Sequence, residues 1–392
     1  MPIALAPVAH ATRTLLSFVV LVAPILIIGA LSPAIATLIR RGLAGRFASA
    51  VIAWFMFSSF AGSLLGILVA AAIFRLSPAP QGGAMGPAAG MLRELRSGSP
   101  ASFAVLAVPI AVVVGLVGAK VDRVHAALGR VERGIARIGL SIGYFLAPLI
   151  LALGVMIGVT FGARLGMSHY GTVVLYSAML AVVWWLFYVF VLLRFLGGVR
   201  SLRRLLTDYY LPTALFAAGT SSSLATIPVN LANVKKYGVV DEVADFVIPV
   251  GTIVHKGASA MQYMAYGPLI AGVFFGLPIG WSQMLVVWPV VVLYSMAAPG
   301  VPGAMGLSLW TGVLYSSMLG LQEPMRSTFV GTWVALTGGI PDMFRSSGNA
   351  TADGFSAIIF SNNFDRFFRR DLVRPLADRE RVPRSPGVSP PG

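Results

Sequence analysis

Four polar residues stand out in an apolar stretch late in the chain: Asp342, Arg345, Asn349 and Asp353. Their steps of three, four and four residues put all of them on one face of one helix. An arginine there is a planar, permanently charged fork that pairs a carboxylate through two parallel hydrogen bonds. An aspartate three residues away can take an ammonium. Together they read as a receptor for an acidic amino acid. The competing reading is that Asp342 and Arg345 neutralise each other as an i,i+3 pair and bind nothing.

The elements that must position this stripe are set by composition. Hydrophobic residues make up 57% of the 392 and charged residues only 11%, against roughly 25% charged in a soluble domain. Apolar runs long enough to span a bilayer, about 20 residues each, lie near 14–39, 48–75, 101–118, 138–162, 171–195, 243–276, 283–318 and 326–362. The expected fold class is therefore an all-α polytopic membrane protein. At membrane depth an ionisable side chain costs roughly 2.5–3.5 kcal/mol or more unless it meets a partner or a wet cavity. A stripe holding three ionisable groups thus predicts a functional site.

A net charge of +15 raises nucleic acid as a partner, but its distribution argues against that. The basic residues cluster in short loops, at Arg40, Arg41 and Arg46, at Lys120 to Arg137, at Arg194 to Arg204, and in the tail from Arg366 to Arg384. Intervening loops such as Phe274 to Gln283 carry no charge. That alternation is the positive-inside pattern; it places the basic loops and the C-terminus in the cytoplasm of a multi-pass inner-membrane protein, with anionic membrane lipids as neighbours. There is no cysteine, and the four histidines have no metal-ligand spacing. No nucleophile–base pair or phosphate loop points to an enzyme. Residues 14–39 are too long for a signal core. Residues 76–100 read as a long outer loop and 119–137 as a basic amphipathic surface helix, with a solvated linker as the alternative. Residues 366–392 read as a basic, partly disordered tail.

Two segments do not read as plain spans: Gly219 to Val229, rich in serine with Pro228, and Ser295 to Ala304, with Pro299, Gly300, Pro302 and Gly303. Backbone that leaves the helix at membrane depth must be buried in protein or line a cavity. Each predicts a re-entrant hairpin, near 205–237 and 283–318. Serines at such a tip, with free N–H groups at a half-helix N-terminus, make a carboxylate site; the alternative is helix packing by small residues. Each hairpin is followed by an interrupted helix, at Pro249 to Ser259 and at Gly338 to Pro341. Paired interruptions of this kind point to inverted repeats and a secondary-transporter site near the midplane.

These segments resemble the dicarboxylate/amino acid:cation symporter family, the glutamate-transporter fold, over about residues 14 to 365. Gly219 to Ser223 with Thr226 to Val229 resembles its first hairpin tip, in spacing most like the C4-dicarboxylate branch. Val247 to Gly251 resembles the start of its unwound seventh helix, Gly300 to Ala304 its second tip, and Asp342 to Asp353 its eighth helix. The resemblance implies that Arg345 binds a substrate carboxylate and Asp342 an α-amino group. It implies that Asn349 and Ser221, Ser222 and Ser223 hold a main-chain carboxylate, and that Ser346 contacts substrate. Asp353 and Asn349 would be sodium ligands, with Ser58 and Ser59 in a further cation site. It also implies a homotrimer with a small acidic substrate. Residues 1–42 and 76–165 would form the scaffold, and 47–75 and 166–362 the moving transport part. The first apolar run matches the family's second helix, so the start is either misassigned or outside the cell.

The chain also departs from the family. Where the family's seventh helix carries Asn-Met-Asp-Gly-Thr, this chain has His255, Lys256, Gly257, Ala258 and Ser259, and Phe55 replaces a tyrosine. Oxygen ligands are lost and a cation is gained. Either Lys256 pairs with Asp353 in place of a bound ion, or His255 or Lys256 titrates and couples transport to H+, or Lys256 snorkels to water without a role in coupling. Na+ with altered ligands also stays open, and no other cofactor is expected. The expected function is transport of aspartate, glutamate or a C4-dicarboxylate by alternating access. The alternative is a transport-inactive receptor for the same acids.

Overall fold

The computed structural model describes residues 46–77, 110–131 without 112, 167–298 without 200, 305–363, and six positions between 28 and 40. The described residues form helices and no strand; Ser77 and Gly280 share an isolated bridge. Helix α1 spans Arg46–Phe74. Helix α2, Met167–Leu186, runs on as a π-helical segment, Phe187–Gly197. Both regions are long and apolar enough to cross a membrane, at Phe47–Phe74 and Ser168–Arg194. One turn at Leu202–Arg204 and a π-helical Leu205–Tyr210 lead into α3, Leu211–Thr220. There follow α4 Ser223–Tyr237, α5 Asp241–Val254 and α6 Gly257–Gly267, the last extended as π-helix over Pro268–Phe274. Helices α7 Trp281–Ala297, α8 Met305–Met318, α9 Met325–Thr337 and α10 Ile340–Asn362 complete the order.

The expected run 326–362 is two helices. Helix α9 stops at Gly338, and Gly339 takes a positive φ of 65°, a conformation that needs no Cβ to be moved aside. Pro341 sits in the first turn of α10, where its missing N–H costs nothing. The Tyr170 hydroxyl of α2 accepts from Ile340 N at 3.1 Å and ties this junction down. The run 243–276 also divides, but not at the proline: Pro249 lies inside α5, and the helix leaves its path at His255 and Lys256. At the serine-rich segment α3 ends on Ser221 in a left-handed conformation, and α4 starts at once with Ser222 as its N-cap, accepting from Ala225 N at 3.1 Å.

Helix α10 is the hub. It packs against α2, α3, α4, α5 and α6, and every residue from Gly348 to Phe360 is buried. Tyr209 donates to Thr351 O at 2.7 Å and Asn230 to Ala350 O at 2.7 Å, so two flanking elements grip its backbone. Helices α1 and α6 approach closely because Gly62 and Gly66, spaced as GxxxG, leave room for backbone: a Cβ at Gly66 would collide with Met261 O. The tip expected at 299–304, the tail and most of the scaffold regions 1–42 and 76–165 lie outside the described residues. Of the amphipathic segment, 119–120 and 122–131 are helical, and its Asp122 pairs with Arg40 at 2.6 Å.

Candidate functional site

The stripe is as regular in three dimensions as its spacing implies. Asp342, Arg345, Ser346, Asn349 and Asp353 all lie on α10 and are all buried. At its N-terminal end, Arg345 Nη2 donates to Asp342 Oδ1 at 3.0 Å and to Thr337 O at 2.7 Å. Nη1 donates to the Tyr266 hydroxyl at 3.4 Å, and the guanidinium carbon stands 4.7 Å from the Tyr263 ring centre, a cation–π distance. Nε and one Nη1 N–H have no hydrogen bond among the described residues, and Asp342 Oδ2 is buried without a partner. A fixed guanidinium with spare donors and a carboxylate with a spare acceptor are thus held side by side. The i,i+3 pairing exists, but it uses only part of either group.

In the middle of the stripe, Asn349 works on the broken helix. Its Oδ1 accepts from Ala258 N at 3.1 Å and Ser259 N at 3.2 Å, and its Nδ2 donates to Ser259 Oγ at 2.8 Å. It therefore caps the N-terminus of α6 from another helix. Lys256 does the converse job: its Nζ donates to Thr252 O at 2.7 Å, at the C-terminus of α5, where the helix dipole favours a cation. The break at His255 and Lys256 is satisfied on both sides, as backbone at membrane depth requires.

At the C-terminal end, the residue on Asp353 is His255, not Lys256. His255 Nδ1 donates to Asp353 Oδ1 at 2.9 Å, and Thr252 Oγ1, which donates to Ile248 O at 2.9 Å, lies 3.4 Å from Oδ2. His255 Nε2 lies 2.5 Å from Ser58 Oγ and 3.2 Å from the Tyr188 hydroxyl. With Nδ1 carrying the proton, a neutral ring accepts there, and a protonated ring donates twice. The Phe55 ring stacks on the imidazole at 4.7 Å. Asp353 and His255 are fully buried. Ser59 is buried with Oγ lacking a partner. Gly251 is glycine because of this carboxylate: a Cβ there would lie 2.6 Å from Asp353 Oδ1 and 2.9 Å from Phe55 Cζ. Gly251→Ala is expected to lower stability by about 1–3 kcal/mol through overpacking. Gly171→Ala, with nothing within 4 Å of its Cβ, serves as the control in a thermal-melt comparison.

The serines are placed differently from the rest. Ser222 caps α4, Ser223 is buried at its first turn, and Ser221 Oγ leans on Ala218 O at 3.4 Å. Their helices pack on α10, but no hydrogen bond joins them to Arg345 or Asn349 among the described residues. Ser346 makes none either. Several residues at the site were not singled out from sequence. Thr252, Tyr188, Tyr263, Tyr266 and Trp184 come from three separate segments, and only the GxxxG of α1 gave a local signal that helices pack tightly here.

Residues 6–363 match the model of a family described as the sodium:dicarboxylate symporter family, and the chain belongs to it. It is a membrane transport protein of that family rather than an enzyme family's member. The name implies sodium, but the residues around Asp353 do not fit such an ion. Hard cations are held by oxygen lone pairs free of other donors. Here an imidazole N–H occupies one oxygen of the carboxylate. Both lone pairs of Asn349 Oδ1 are taken by backbone N–H groups. Lys256, buried nearby, adds positive charge.

Proposed function

We propose that this chain, a member of that family, is a secondary transporter. It carries an acidic amino acid, aspartate or glutamate, or a C4-dicarboxylate across the inner membrane by alternating access. Arg345 takes a substrate carboxylate. The observation that carries this is the buried guanidinium with unused N–H donors beside the unpartnered Asp342 Oδ2. An uncompensated buried acceptor costs about 1–3 kcal/mol, and a substrate ammonium would supply what it lacks, which favours an amino acid. The dicarboxylate reading rests on the serine-tip spacing. Asn349, Ser346 and Ser221 to Ser223 complete the substrate site, with α3–α4 (205–237) and α7–α8 (283–318) as re-entrant hairpins of two inverted repeats. Residues 47–75 and 166–362 form the moving part and 1–42 and 76–165 the scaffold of a homotrimer, with the C-terminus in the cytoplasm.

Cation coupling is altered relative to the family, because donors and a lysine surround Asp353. A second reading follows from the same observation: the chain binds these acids but no longer moves them, as a membrane receptor. Labelled L-aspartate and succinate, offered to proteoliposomes under imposed Na+ and pH gradients in turn, separate the two. The transporter reading expects uptake or exchange of one acid. Measurable binding with neither uptake nor exchange under any gradient would sink it.

A further inference from the structure

Beside the Asp353–His255 pair stands a fully enclosed indole that the substrate site does not use. Trp184, at the C-terminal end of α2, is only 2% exposed. Three glycines from three helices make its seat. A Cβ at Gly62 of α1 would collide with Trp184 Cζ3 and lie 2.7 Å from Cη2. At Gly257 of α6 a Cβ would lie 2.8 Å from Cη2 and 2.9 Å from Cζ2, and at Gly348 of α10 it would lie 3.2 Å from Cδ1. The indole N–H donates to Gly348 O at 3.1 Å, and the ring meets Tyr188 edge-on at 4.9 Å. Tyr188 in turn touches Ser58 Oγ at 2.9 Å and His255 Nε2 at 3.2 Å. Position 257 also faces His255 Nε2, 3.4 Å from its would-be Cβ.

The junction of α1, α6 and α10 is therefore filled by a rigid apolar ring and an imidazole. An oxygen-bearing side chain at 257 would have to stand where the ring edge is. An indole offers no acceptor lone pair, and its one donor is spent. Removing oxygen ligands and filling part of their volume with hydrocarbon leaves a hard cation too few oxygens to exchange for its water.

We propose that Trp184 and His255 occupy, as permanent parts of the protein, the space a sodium ion would need beside Asp353. Binding beside Asp353 is then independent of sodium, and Trp184 is the residue that makes it so. The consequence for transport rests on the acidic-substrate reading above, but sodium binding itself is read without substrate. Melting temperatures of the purified full chain in NaCl and in choline chloride, each at about 100 mM, report any ion that binds the folded state. Equal values are expected, and a saturable sodium-specific rise overturns the proposal. The double variant Trp184→Ala/Gly257→Asp vacates the ring and returns a carboxylate. It is expected to gain a sodium-specific rise. A folded double variant with no response removes the role given to Trp184. Should it not fold, Trp184→Phe/Gly257→Ser makes a smaller opening with one new oxygen, and its silence counts equally against that role. In parallel, L-aspartate and succinate titrations are expected to agree within about twofold between the two salts, and a tightening of about tenfold or more in sodium, roughly 1.4 kcal/mol, overturns the proposal. Failure of both acids to bind in either salt strikes at the Arg345 reading alone, since the melts still decide the sodium question.

Discussion

Replacing Arg345 by alanine is expected to weaken binding of L-aspartate or succinate by at least about 100-fold, the usual result of truncating one partner of a buried charge pair. The guanidinium is held on three sides by Asp342, Thr337 O and the two tyrosines. Its orientation is thus fixed before substrate arrives, which lowers the ordering cost of binding. Arg345→Lys keeps the charge but loses the planar fork, and is expected to lose about tenfold or more. Because Arg345→Ala leaves Asp342 without its only described partner, Arg345→Ala/Asp342→Asn removes the leftover charge and separates folding from binding. Calorimetric titration of the purified chain reads all three. Either single variant binding an acid as tightly as the parent would show that the guanidinium is only a structural counter-ion of Asp342.

The Asp342–Arg345 end of the stripe, to which we assign the substrate, was readable in sequence because one helix carries it. Asp342, Arg345, Asn349 and Asp353 share a face by spacing alone, and Gly338, Gly339 and Pro341 mark where that helix must begin. The Asp353 end was not readable in the same way. His255 and Asp353 are 98 positions apart and Trp184 is 164 positions from the Gly348 carbonyl it meets. Nothing local chooses between His255 and Lys256 as the partner of Asp353. That choice follows from Lys256 being held at the end of α5 by Thr252 O, while His255 turns toward α1 and α10. The interruption expected within Pro249 to Ser259 falls at His255 and Lys256; in a membrane helix, neighbouring groups can satisfy the backbone that a proline frees, so α5 continues for five residues beyond Pro249 to Val254. The departures from the family at 255 to 257 were visible as lost oxygens, but only the packing shows that an indole fills the gap.

The other large effect is expected at His255. In His255→Leu, Asp353 keeps a single long contact, Thr252 Oγ1 at 3.4 Å, in a site from which solvent is excluded. Breaking a buried pair by removing one member typically costs about 3–5 kcal/mol, and with Lys256 buried nearby to offset part of the carboxylate's charge, the lower end of that range is expected. The Phe55 ring, stacked on the imidazole at 4.7 Å, would still pack against leucine, so the loss is electrostatic rather than a cavity. That distinction can be measured. Adding Asp353→Asn to His255→Leu removes the stranded charge and should restore most of the stability, whereas a packing defect would persist in the double variant. Unfolding of the detergent-solubilised chain by added SDS gives the four free energies of this cycle. Additive single effects would mean that His255 and Asp353 do not depend on each other, and the imidazole would lose its standing as the group that takes the cation's place.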